Sequence, residues 1–223
     1  MSNPKSILAW HILPDDGRLM FPPHAWVEPG MTFRFPGTPV MCKQGFHASK
    51  RLLDALGYAH GSLICRVRLG GKVIIHEADK SVAQTRGVLW MVDATWILWD
   101  FACWCAEEAL LKEQKCGREP AKESWAAIQA RRDWLDGAIS DRELQVAHLA
   151  AYLAANSAAN SEAHSAANSA AHSVANSAAY SVANSAANSA VYSAAYSAAR
   201  SATYSAQNKK LTEMIMAVPW EEK

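Results

Sequence analysis

SLICRVRLGGKVIIH (residues 62–76) decides how the first half of the chain is read. Leu63, Cys65, Val67 and Leu69 alternate with polar or smaller residues, the period-two pattern of a half-buried strand. Gly70-Gly71 has the composition of a tight hairpin turn, and residues 72–76 read as the strand returning from it. On the N-terminal side, residues 45–48 form a short strand. It leads to Ser49, an N-cap residue type, ahead of a helix carrying Leu52, Leu53, Ala55 and Leu56. Further out, residues 7–13 have strand character and end at the turn signal Pro14-Asp15-Asp16-Gly17, with residues 18–21 as a returning partner. Residues 22–39 hold five prolines and two glycines and read as a loop, with a short alternating strand over 31–35. On the C-terminal side a strand is expected around residues 88–92.

Helices follow the strands. Residues 95–112 carry apolar side chains nearly all round (Trp96, Leu98, Phe101, Cys103 and Leu110 among them), which predicts a helix buried across the sheet. Pro120 suits a helix start, and residues 121–135 turn Trp125, Ile128 and Leu135 inward. Strands first and helices afterwards give an α+β class: a small antiparallel sheet with packed helices.

From Ser157 to Asn208 the chain becomes a tetrapeptide repeat of the type SAAN, SAAH or SAAY, without Gly or Pro and with Glu162 and Arg200 as its charged residues. Ala is the best helix former, and Ser and Asn cost only a few tenths of a kcal/mol relative to it. Ser140 and Glu143 form a capping box just past Gly137, so one long helix is expected to begin near Asp141. At roughly 1.5 Å per residue the repeat would span about 78 Å. Four residues advance about 400°, so the stripe of Asn, His and Tyr winds around the rod and makes no straight seam. That geometry favours steep crossings between small-residue ridges over a heptad zipper. The expected organisation is a globular domain over 1–138, the repeat helix over 139–210 and a tail over 211–223. The repeat helix is expected to assemble the protein into a homo-oligomer.

The 223 residues carry a formal charge of +1, so no global basic field points to nucleic acid. Five cysteines, an odd number, and no secretory signal at the start place the chain in the cytoplasm, with reduced thiols. The apolar run at 89–105 is broken by Asp93 and Asp100, which argues against a membrane span. Cys103, Cys105 and Cys116 lack zinc spacing and read as structural thiols, so no metal is expected. No phosphate-binding glycine loop or nucleophile elbow is present.

Two histidines interrupt apolar strands: His11 and His47. Each can be a hydrogen-bonded core histidine. Together with Ser49, Lys50 and Arg51 at a helix N-terminus they can also form an anion site, where backbone N–H groups, the helix dipole and cationic side chains converge. Arg86 is a further candidate, with Arg66 and Arg68 as alternates.

The run Gly45-Phe46-His47-Ala48-Ser49, the helix Leu53-Asp54-Ala55-Leu56, the strand Cys65-Arg66-Val67 and the segment from Asp79 to Gly87 resemble a family of bacteriophage and bacterial proteins of the G-L-H-A-S/C type. Those proteins often end in Ala-rich repeats, and the likeness covers roughly residues 7–105. It implies no activity, and places the protein in a host cytoplasm if it is viral. Trp10-His11 on a first strand followed by the 45–49 run is also similar to the layout of ADP-ribosyltransferase-like domains. That resemblance implies that His11 and His47 would contact NAD or an ADP-ribose-like ligand. Ile12-Leu13 replaces the Gly-Ser/Thr expected after the histidine, and Glu77 is the sole guess for the acidic residue. Binding, and sequestration, of a small anionic nucleotide without turnover is therefore the expected function. An ADP-ribosyl-transferring or NAD-cleaving enzyme is one alternative, and an interaction protein without a small ligand is the other.

Overall fold

A computed structural model describes residues 6–20, 24–159 and 200–219. The chain is α+β, and it divides into two units. The first comprises the chain up to Thr95 together with the segment from Asn208 onward; the second runs from Trp96 to Gln207.

The first unit is built on five antiparallel strands: β1 (Ile7–Leu13), β2 (Thr32–Arg34), β3 (Phe46–Ala48), β4 (Leu63–His76) and β5 (Ser81–Asp93). The order is β1-β4-β5-β2, with β3 also on β5. Here the reading of residues 62–76 as a hairpin is corrected. β4 passes straight through Gly70-Gly71, and the chain reverses after it, where the Glu77 N–H donates to the Lys80 carbonyl at 2.8 Å. The glycines mark a bulge instead: pairing with β5 shifts register between Gly70 and Ile74, and Gly71 has φ +114°. A bulge and a tight turn ask for the same residue. The partner of β1 is likewise β4 along its whole length, with His11 opposite Cys65; residues 18–20 do not pair with it, and Arg18 bridges to Trp26. The turn at Pro14–Gly17 is as expected, closed by the Gly17 N–H on the Pro14 carbonyl.

The sheet curls. β3 pairs with the start of β5, and the next residue, Ser49, exchanges two backbone hydrogen bonds with Trp10 of β1, at 2.7 and 2.9 Å. Strong twist at a bulge is what lets a long two-stranded ribbon bend this far. The inner face packs Ala9, Leu13, Cys65, Val67, Leu69, Ala83 and Val88 into one core. On the outer face Trp10 meets Trp90 edge-on at 5.6 Å, and the Arg66 guanidinium lies 4.4 Å from the Trp10 ring centroid.

Helix α1 (Leu52–Leu56) packs on β1. Ser49 does not cap it: Ser49 extends the sheet by pairing with Trp10, and the N-cap position falls two residues later, at Arg51, with no side-chain cap bond. The free helix N–H of Leu53 is instead satisfied by the Asn208 side-chain oxygen at 3.0 Å. Asn208 belongs to α5 (Arg200–Met216), which also contributes the fully buried Leu211 and Ile215.

The second unit contains most of α2 (Thr95–Lys115), then α3 (Lys122–Leu135), α4 (Asp141–Ala159) and the start of α5. Cys103, Ala106 and Leu110 of α2 pack on Ile128 and Trp125 of α3. Arg132 holds Glu107 by a charged hydrogen bond of 2.5 Å. α2 is not buried all round: Trp96 is 55% exposed and joins Trp99 and Trp134 in a cluster with centroid separations of 5.0 to 5.3 Å. The capping box is formed as expected, with Glu143 accepting from the Ser140 N–H and hydroxyl at 2.8 Å. The continuous repeat helix expected beyond Ala159 falls on residues 160–199, outside those described. Among the described residues no helix is long and apolar enough to cross a membrane.

Candidate anion site

Alternation along β1 places His11 on the same face as Ala9 and Leu13, the face that forms the inner core. Arg86 of β5 stands between Leu69 of β4 and Phe33 of β2 in the pairing register, so it faces the same interior. Its side chain is 3% exposed. The guanidinium lies over the Phe46 ring, 5.2 Å from the centroid, and Phe46 leans on Phe33 at 6.1 Å. No carboxylate pairs with it among the described residues, and its Nε–H has no hydrogen-bond partner. Burial lowers the Arg86 pKa to about 10, so the group is still a cation at neutral pH.

The surrounding groups register this charge. Burial drives the His11 pKa well below the usual imidazole value, and Arg86 and His47 push it the same way. His11 is therefore neutral at physiological pH. The Cys65 thiol opposite it is pushed up to about 12 by burial, partly offset by Arg86, and stays protonated. His47 is half-buried, and its Nε2 accepts from the Cys42 N–H at 2.9 Å. An accepting Nε2 leaves the proton on Nδ1, the neutral tautomer. Burial lowers the His47 pKa, a hydrogen bond to the Gly45 backbone opposes this, and Lys80 and Arg86 lower it further.

The fold thus brings His11, His47 and Arg86 within electrostatic reach of one another. The helix N-terminus contributes differently. Ser49 is buried with its backbone in the sheet, and Lys50 is exposed. Arg51 forks onto Asp54 at 2.7 and 3.1 Å. With the Leu53 N–H taken by Asn208, the short helix has few donors left for an anion. Glu77 lies within electrostatic range of His47, but its half-exposed carboxylate pairs with Lys80 at 3.5 Å.

Nothing local in the sequence marks Phe46 or Cys65 as neighbours of Arg86. Phe46 stands next to His47, and Cys65 belongs to the alternating apolar set of its strand. Their places beside Arg86 follow from a register that no local pattern encodes. Comparison with protein-family models, curated proteins and solved structures found no match to the chain.

Proposed function

We propose that the protein binds, and by holding it sequesters, a small anionic ligand inside the curled sheet, with Arg86 as the charge that recognises it. The observation that carries this reading is a buried cation without a counter-anion among the described residues. An unpaired charge in an apolar core costs several kcal/mol. Structural arginines avoid that cost by pairing, and a ligand anion would supply the missing partner at Arg86. His11 and His47, both neutral, add polar contacts without adding charge. An ADP-ribose-like nucleotide is the ligand class suggested by the similarity to ADP-ribosyltransferase-like domains. Turnover has less behind it, since Glu77, the one acidic candidate, is engaged by Lys80.

The reading includes self-association, in the cytoplasm, through the helical C-terminal half. The outer face of α4 exposes Val146, Leu149 and Leu153, at spacings of three and four residues, while Leu144, His148 and Ala151 are buried on its inner face. An apolar stripe of this spacing suits a second copy of the same helix.

A thermal-shift screen of the full chain with nucleotides, phosphates and carboxylates tests the binding reading. At least one anion is expected to raise Tm in the wild type and to leave Arg86→Met unmoved. Stabilisation by none of them refutes it, and release of nicotinamide from NAD would establish the enzyme alternative in its place.

A further inference from the structure

Arg86 also constrains what kind of anion fits. The inner face around it presents mainly aliphatic and aromatic side chains, and Arg86 is the one buried cation among the described residues; Lys80, which also acts on His47, is already paired with Glu77. The two imidazoles nearest to it carry no charge at neutral pH. A site with one positive charge and low polarity balances one negative charge; a dianion would leave a second buried charge unpaired. The unsatisfied Nε–H lies on the edge of the guanidinium, and this edge with its adjacent Nη–H forms a fork for two coplanar oxygens. The Phe46 ring centroid lies 5.2 Å from the same guanidinium, so the head group is met by an aromatic neighbour as well as by the charge. Phe33 and Phe46 are both partly exposed beside Arg86 and offer aromatic surface to whatever is attached to that head.

Resting on the anion-binding reading above, we infer that the ligand is a monocarboxylate with an apolar, aromatic body, its carboxylate accepting side-on from Nε and Nη of Arg86 and its body against Phe33 and Phe46. A nucleotide would have to put its phosphates where, among the described residues, Arg86 is the one buried positive charge without a paired carboxylate.

Isothermal titration of the full chain with hydrocinnamate, hydrocinnamyl alcohol, phenyl phosphate and ADP-ribose separates the cases. Hydrocinnamate is expected to bind, with the isosteric alcohol weaker by about tenfold or more, the loss of one charge-assisted contact. Arg86→Met should lose the carboxylate's advantage over the alcohol. Arg86→Lys, which keeps the charge but not the fork, should weaken hydrocinnamate by a similar factor and serves if the methionine variant does not fold. Phenyl phosphate or ADP-ribose binding more tightly than hydrocinnamate in an Arg86-dependent way would overturn the carboxylate inference while leaving the anion reading standing. Binding of none of the four, together with no stabilising anion in the thermal screen, removes both.

Discussion

At the residue scale, two buried bases behave oppositely on titration. Arg86 keeps its proton, so in the ligand-free protein it is a net cost of folding. Arg86→Met is expected to raise stability by about 1–3 kcal/mol while abolishing anion binding, the trade between stability and function expected of a binding residue. Urea unfolding of the two proteins without ligand checks this. His148, in the second unit, is buried with its Nε2 unpartnered, and burial followed by Arg131 lowers its pKa to about 4. The unfolded chain takes up this proton near pH 6.5 and the folded chain only near 4, so stability is fully present above pH 6.5 and declines as pH falls through that window. At about 1.4 kcal/mol per unit the loss approaches about 3 kcal/mol. His148→Leu should flatten that slope when unfolding midpoints are compared at pH 7 and 4.5.

Among the elements, β4 shows where the sequence was legible and where it was not. Strand character over residues 63–69 and 72–76 could be read from alternation and β-branched content. The role of Gly70-Gly71 could not, because a turn and a bulge both need a residue free to take positive φ, and the choice lay in the partner strand. Gln84 is that partner: its side-chain oxygen accepts from the Lys72 N–H at 3.0 Å. A Cβ on Gly71 would fall 2.8 Å from the Gln84 Cβ, at a φ that L side chains rarely adopt. Gly71→Ala is therefore expected to cost about 1–3 kcal/mol, whereas Gly137→Ala, with open space around it, meets the φ penalty alone. Comparing their denaturation midpoints isolates the steric part. The α4 start was readable because a capping box is local; the α1 cap was not, since Asn208 lies 155 residues away from Leu53. Likewise, His11 and His47 stand out in the sequence as polar groups in apolar strands, whereas Arg86 stands out only as one of several strand arginines. That the three share one interior depends on the curl of the sheet.

For the whole molecule, the first unit is closed by both ends of the described chain. Leu211 and Ile215 are fully buried, and Asn208 completes α1. Removing two large aliphatic side chains from a core costs several kcal/mol, so a chain truncated after Gln207 should lose the cooperative unfolding of the strand-rich unit. Circular dichroism melts followed at sheet and helix wavelengths would show it; an unchanged sheet transition would mean the C-terminal helix is dispensable. Self-association through α4 belongs to the same scale. Light scattering of Val146→Glu with Leu149→Glu should report a smaller mass than the wild type, and equal masses would place any interface elsewhere.

The most direct test of the buried, unpaired cation is the Arg86 side chain itself, followed by NMR through its Nε–H resonance during titration with hydrocinnamate. Formation of the missing hydrogen bond predicts a saturable downfield shift and slowed hydrogen exchange at that one site, absent with the neutral alcohol. A resonance that does not move while the ligand saturates, or moves equally with the alcohol, contradicts the assignment of Arg86 as the anion receptor.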